Sequence, residues 1–300
     1  MDDKQWLTGQ FERHRPHLRA VAYRMLGSLA DADDAVQDTW LRLSRSDADD
    51  VGNVGGWLTT IVARVCLNML RSRNHRREEP LDVHVPDPVI SPDGKSQPEE
   101  EALLSDSVGL ALLVVLDTLT PDERLAFVLH DMFELPFTQI GPIVGRTPAA
   151  AKQLASRARR RVKGAEIPAD PDLARQREVV DAFFAAAREG DFDALITVLH
   201  PDVLVRIDGG VRHAETTMLL RGATAVARQA ASGIRTLLGG PATRLRPVRV
   251  NGSAGVLVIV AGQPITMMSF TVANGKITEI DAIADPERVA AVTAHIRAPG

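Results

Sequence analysis

Cysteine, aromatic side chains and long apolar runs are all scarce in this 300-residue chain. A single cysteine, Cys66, excludes an internal disulfide and any Cys-rich zinc site. Aromatic residues make up 4% of the chain, so its cores must be built from Leu, Val, Ile and Ala. No run reaches the roughly 18–20 apolar residues that span a bilayer, and "MDDKQWLTGQ" lacks the basic and apolar regions of a signal peptide. A cytoplasmic protein with no membrane partner is expected. There is no P-loop, dinucleotide fingerprint or nucleophile elbow, so no cofactor and no catalytic residue is assigned. His14 and His17 share a helix face without a carboxylate or cysteine at ligand spacing, and no metal is assigned. The net charge of −4 excludes general coating of nucleic acid, so any such binding must be local.

What is present divides into blocks. Three hundred residues predict two or three domains. Residues 6–77 read as helical. "DADDAVQDTWLRL" places Ala32, Ala35, Val36, Thr39, Trp40 and Leu43 on one stripe, and "VGGWLTTIVARVCLNMLRSRNHRR" repeats the pattern before turning basic. Residues 78–101 carry five prolines and many acids with Lys95 as the only Lys or Arg, which predicts an extended acidic linker. Residues 102–164 are helical again, with Thr120-Pro121 and Thr147-Pro148 each reading as N-cap then first helical residue, and Gly145 as a helix terminator. After a second linker, 165–174, residues 175–290 run from helices into strand-like segments separated by turns such as Asn251-Gly252 and Asn274-Gly275. That order predicts an α+β domain with a curved antiparallel sheet.

The charge is concentrated in "RTPAAAKQLASRARRRVKG", with seven basic side chains and no acidic one. With the preceding "ELPFTQIGPIVG" it forms a helix-turn-helix pattern. Ala151, Leu154, Ala155, Ala158 and Val162 form its buried face. Ala149, Lys152, Gln153, Ser156, Arg157, Arg160 and Lys163 point outward, as major-groove insertion needs. Taken alone, the stretch also fits a solvated amphipathic helix.

The two halves of the helical part resemble region 2 and region 4 of the bacterial σ70 family, in the order of its compact extracytoplasmic-function (ECF) type, over residues 10–163. The resemblance implies sequence-specific transcription initiation with two partners, promoter DNA and core RNA polymerase. Asp33, Asp34, Gln37 and Asp38 would dock on the β′ clamp helices, with the β subunit as a further contact. Arg64, Asn68, Arg71 and Arg73, with the loop "SDADDVGNVGG", would meet the −10 element, and the outward face of the basic helix the −35 element. In the family the linker passes through the active-site cleft and RNA exit channel of the polymerase. "QIGPIVG" departs from the usual Glu-Ile-Ala, and Pro142, four residues after Thr138 as N-cap, predicts a supporting helix that is short or 3₁₀ at its start.

"VVDAFFAAAREGDFDALITVLHPDVLVRIDGG" resembles the start of a SnoaL-like domain of the NTF2-like superfamily, a cone-shaped α+β barrel, which would occupy residues 175–290. A σ joined to such a domain resembles the actinobacterial sigma I and sigma J group. "DGG", Asp208-Gly209-Gly210, and "ADPERV" resemble two motifs of that group, while its Trp-Leu-Pro-Glu-Pro linker motif is replaced by "VHVPDPVIS". Asp208, Gly209 and Gly210 are expected to make an interdomain regulatory contact, and a separate anti-sigma factor is not required. The expected fold is therefore multidomain: two all-α domains plus the α+β cone. Two other classes stay open, a helix-turn-helix regulator with a ligand-binding domain and an NTF2-like enzyme using Asp208 or His213.

Overall fold

The computed structural model describes residues 3–44, 53–76, 83–92, 109–165, 170–234, 240, 242–294 and 296. Most of the loop expected at the −10 element, 46–52, and the linker residues 78–82 and 93–101 lie outside that set. The chain divides into two units, Met1–Glu79 with Val115–Ala165, and Pro80–Val114 with Glu166–Gly300.

In the first unit, α1 (Asp3–Leu26), α2 (Leu29–Leu43) and α3 (Val54–Arg76) form a three-helix bundle. Gly27 leaves α1 with φ +69, a left-handed conformation that costs glycine nothing, and Ser28 then caps α2 by accepting from the Asp31 N–H. Ala32, Ala35, Val36, Thr39 and Leu43 are buried as their spacing predicts, and so are Phe11, Leu18 and Met25 of α1 and Leu58 and Val62 of α3. Trp40 is only half-buried and meets the Phe11 ring at 5.0 Å. Cys66 is fully buried in α3.

The second helical block begins with α4 (Leu110–Asp117). Thr120 and Glu123 then form a complete capping box on α5 (Pro121–Phe127), so the Thr-Pro signal marks the helix start as expected. A π turn over Val128–Met132 follows, which periodicity did not reveal. Next come α6 (Phe137–Val144) and α7 (Pro148–Ala165). Pro136, not Thr138, is the N-cap of α6, and the helix is α throughout its eight residues. Exposed Pro142 is tolerated because it faces solvent and forfeits only one bond within the helix. The two helical blocks touch: Arg124, buried in α5, donates from Nε to the Arg24 carbonyl at 3.1 Å and from Nη1 to Asp117 at 2.5 Å.

The second unit is a seven-stranded sheet backed by helices. Its elements are β1 (Ile90–Pro92), α8 (Leu173–Glu189), α9 (Phe192–Val198), β2 (Leu199–Asp208), β3 (Met218–Arg221), α10 (Ala223–Gln229), β4 (Thr243–Val250), β5 (Ser253–Val260), β6 (Gln263–Ala273), β7 (Lys276–Ile283) and α11 (Pro286–Thr293). The strand order is β1-β4-β5-β6-β7-β2-β3. Asn251-Gly252 and Asn274-Gly275 all have positive φ, the conformation of tight hairpin turns, and they join β4 to β5 and β6 to β7. The expectation of a wholly antiparallel sheet needs correction, since β2 and β7 run parallel. A parallel pair needs a long crossover, and here four strands and α10 lie between the partners in sequence.

Alternation along the strands sends one set of residues to each face. Val203, Val205, Val256, Phe270, Ile277 and Ile280 meet Val180, Phe183, Phe184 and Leu195 in one core. Phe183, Phe184 and Phe270 form an edge-to-face trio with centroids 5.4–5.9 Å apart. The alternate positions of β2 and β7 hold Arg206, Asp208, Glu279 and Asp281.

Candidate nucleic-acid interface

The helix-turn-helix is set by two glycines. Gly145 closes α6 at φ +69. Gly141 is buried where a Cβ would come within 2.8 Å of the Arg146 carbonyl, so only glycine lets the turn fold back on α6. Thr147 Oγ1 then accepts from the Ala150 N–H and starts α7. Ala151, Ala155, Ala158 and Val162 are buried, and Leu154 is half-buried. Ala149, Lys152, Gln153, Ser156, Arg157, Arg160 and Lys163 are all exposed. They are not alike in charge, however. Glu123 of the capping box binds Arg157 Nε at 3.1 Å and Arg161 Nη1 at 3.0 Å, and Asp131 binds Arg159 at 2.5 Å. Among the described residues, Lys152, Arg160 and Lys163 have no ion-pair partner. The uncompensated positive field of α7 therefore comes from these three, which lie on its outward face.

On α2, Asp33, Asp34, Gln37 and Asp38 are exposed together. Arg19 grips Asp33 through two bonds of 2.6 and 3.0 Å. Leu41, three residues past Asp38 and 42% exposed, adds an apolar member to this side that hydrophobicity alone would have assigned to the core.

On α3, Arg64, Asn68 and Arg71 follow one another at helical spacing and are exposed. Arg71 reaches Asp122 of α5 at 2.7 Å. Arg73 does not join them. It is half-buried, pairs with Asp31 of α2 and donates to the Leu26 carbonyl at 3.3 Å. Trp57 is half-buried.

In the second unit the two short motifs converge. Asp208 ends β2 and Arg288 lies in the first turn of α11, where Asp285 is the N-cap. Arg288 Nη1 donates to Asp208 Oδ2 at 2.7 Å. The same Oδ2 accepts from the Val85 N–H at 2.9 Å and lies 3.2 Å from His84 Nδ1. Arg288 Nη2 donates to the Val85 carbonyl and to Asp87, both at 2.7 Å. Farther along the segment, Asn251 exchanges two bonds with the Val89 backbone, at 2.8 and 2.9 Å, and Ile90–Pro92 pairs with β4. The extended stretch 83–92 is thus a strand-forming strap on the sheet. Val83, Val85, Val89 and Ile90 are buried, an apolar period that the prolines and acids around it obscured.

Gly210 has φ +68 and donates its N–H to Asp208 Oδ1, and neither Gly209 nor Gly210 has room for a Cβ, against Thr216 and His213 or against Asp285. The Gly210 N–H thus fixes one oxygen of Asp208, while Gly209 donates to Thr217 Oγ1 at 3.2 Å. Burial alone would raise the Asp208 pKa. The contacts from His84, the Val85 and Gly210 N–H groups and Arg288 outweigh it and hold the carboxyl well below the ordinary carboxylate range. A carboxylate held this firmly ionised is a poor general acid. His213 is exposed and lies beside Glu215.

Among the described residues no His, Cys, Asp or Glu cluster could hold a metal ion, and no helix is long and apolar enough to cross a membrane.

Comparison with known proteins agrees with this arrangement. The family model for Sigma-70 region 2 matches residues 10–76, and that for Sigma-70, region 4 matches residues 109–162. The chain is 37% identical over 290 residues to the ECF RNA polymerase sigma factor SigJ of Mycobacterium tuberculosis, covering 93% of this chain and 92% of the relative. It is 34% identical to the probable ECF RNA polymerase sigma factor SigI of the same organism, covering 97% of each. The crystal structure of M. tuberculosis SigJ superposes with a TM-score of 0.73 at 34% identity, covering 94% of this chain and 97% of that one. Region 2, region 4 and the helix-backed sheet thus recur in one order along whole relatives, and the chain belongs to the extracytoplasmic-function sigma factors, transcription initiation factors that bind core RNA polymerase and promoter DNA.

Proposed function

We propose that this sigma factor carries its own regulator, the sheet unit, and that the regulated element is the strap 83–92. The observation that carries the reading is the grip of Asp208 and Arg288 on Val85 and Asp87. In the resemblance drawn from the sequence, the segment between regions 2 and 4 threads the polymerase cleft. A segment hydrogen-bonded to the sheet cannot thread that path until those bonds are exchanged. Release of the strap would then accompany assembly with polymerase, with no separate anti-sigma factor required.

Within this reading Lys152, Gln153 and Ser156 read −35 bases, while Arg160 and Lys163 hold phosphates. Arg157 belongs to the readers and must leave Glu123 to do so. Arg64, Asn68 and Arg71 face the −10 strand, and Arg73 serves the bundle as well as the DNA. Asp33, Asp34, Gln37 and Asp38 dock on the β′ clamp helices, and region 4 meets the β subunit. The exposure of these side chains supports the assignment, and so does the lack of acidic partners for Lys152, Arg160 and Lys163.

Run-off transcription with core polymerase tests the regulator. Arg288→Ala and a chain ended after residue 165 should both differ from the full-length protein on the same promoter. Equal transcription by all three would remove the sheet unit as a regulator. Promoter binding measured with and without core separates this reading from an ordinary helix-turn-helix regulator, which binds duplex DNA unaided.

A further inference from the structure

At the opposite end of β2 from Asp208 lies a cleft with no part in the reading above. It has a volume of about 530 Å³, open to solvent, between α9, the start of β2, the end of β3, α10 and the start of β7. Three cations line it, each from a different element: Arg221 from β3, Arg228 from α10 and Lys276 from β7. Among the described residues no acidic one lines it. Residues 170–300 contain as many acidic as basic residues, so three positive charges around one hollow without a counter-charge is a local concentration. Among the described residues none of the three has an ion-pair partner, and Lys276 is steadied by donating to the Thr197 carbonyl at 3.1 Å. The remaining wall includes Ile196, Leu199 and Pro201, which are apolar.

Gathering like charges destabilises a fold unless something compensates them. Two guanidinium groups present planar donor forks that match the oxygens of a phosphate or carboxylate, and a third cation adds charge without competing for geometry. The volume falls in the range of small-molecule sites, roughly 300–1,000 Å³. A concave shape with an apolar wall suits a compact ligand better than a duplex backbone, whose phosphates need protruding cations. We propose that this cleft binds a small organic oxyanion, a phosphate ester or carboxylate with an apolar part resting on Ile196, Leu199 and Pro201. The sheet unit then has two ends with separate tasks, a strap site at Asp208 and a ligand site at Arg221, Arg228 and Lys276.

The test uses the full-length protein at low salt with phenyl phosphate, inorganic phosphate and phenol as probes, read by calorimetric titration. Phenyl phosphate should bind several-fold tighter than inorganic phosphate, and phenol should not bind measurably. Arg221→Gln and Arg228→Gln should each weaken phenyl phosphate by about tenfold or more, as loss of a charge-assisted contact requires. Both arginines are exposed, so folding should survive. A readout on the unmodified chain is independent of that: phenyl phosphate should slow reductive methylation of Lys276, and phenol should not. Undiminished binding by the Arg221→Gln, Arg228→Gln double variant overturns the proposal, and so does equal affinity for inorganic and phenyl phosphate. A double variant that loses promoter affinity in the holoenzyme while keeping phenyl phosphate binding would make the patch a DNA contact and overturn it likewise.

Discussion

Arg288 and Asp208, 80 residues apart in sequence, meet at 2.7 Å and close around the Val85 backbone between them. The pair belongs to two short motifs, "DGG" and "ADPERV", which have no visible relation until the sheet brings the end of β2 under the start of α11. Removing Arg288 would leave Asp208, 3% exposed in its side chain, with a buried charge and less compensation. Breaking one side of a buried pair costs about 3–5 kcal/mol. Arg288→Ala should therefore speed hydrogen exchange at Val85 and Val89 selectively, with the amides of β5 and β6 unchanged. Uniform acceleration across the sheet would show general destabilisation instead of strap release.

In the proposed reading the recognition helix separates base readers from phosphate holders. Arg160→Ala should weaken holoenzyme binding to every promoter and lower the salt slope by about 1. Gln153→Ala should relax discrimination at one −35 position by about 1–3 kcal/mol and leave the slope alone. Binding titrations on cognate and scrambled −35 sequences at several salt concentrations measure both. Equal losses on the two sequences would remove Gln153 as a reader.

Arg71 is both a candidate −10 contact and the partner of Asp122. Its side chain is 45% exposed, so the pair adds at most about 1 kcal/mol to stability. Arg71→Ala should reduce run-off transcription, while Asp122→Asn, which frees the guanidinium, should leave it equal or higher. A parallel loss in both variants would mean that the ion pair itself is what transcription needs.

Asp281 gives a pH dependence of known sign. Burial pushes its pKa from 3.8 up to about 6, and neighbouring Glu279 adds to the rise against the pull of Arg206. The folded state holds this proton more tightly than the unfolded chain, so its contribution to stability falls as pH rises from about 4 to about 6 and stays low above that. At ~1.4 kcal/mol per unit, the change is on the order of 3 kcal/mol. Asp281→Asn should gain on the parent by that order between pH 4 and pH 7, seen in exchange of the Ile280 and Ala282 amides. A constant difference between the two proteins across that range would refute the assignment.

Cys66 should be inert. Burial pushes its thiol pKa up to about 12, so almost no thiolate exists near neutral pH. Native protein should resist iodoacetamide, and mild urea should expose the thiol together with unfolding of the helical unit. Rapid labelling under native conditions would contradict the buried position.

Local chemistry determined much of this protein from the sequence alone. Thr120-Pro121, Thr147-Pro148 and Gly145 mark helix ends because capping and left-handed turns depend on a few adjacent residues. Asn251-Gly252 and Asn274-Gly275 mark hairpins for the same reason. The outward face of α7 was legible because a period of 3.6 is a property of neighbours along one helix. Tertiary structure alone decided which charges on that face are compensated. Arg157, Arg159 and Arg161 look equivalent to Arg160 in the sequence, yet Glu123 and Asp131 arrive from α5 and the π turn to pair them. It also turned Arg73 away from Arg64, Asn68 and Arg71, and made β2 and β7 parallel. The strap was hidden for a related reason: Val83, Val85, Val89 and Ile90 acquire a buried face only when β4, Asn251 and Asp208, more than 120 residues away, supply the other half of each bond. Spacing along the chain fixes what a helix or turn can do by itself. Pairing between distant charges and strands depends on distances that only the folded chain sets.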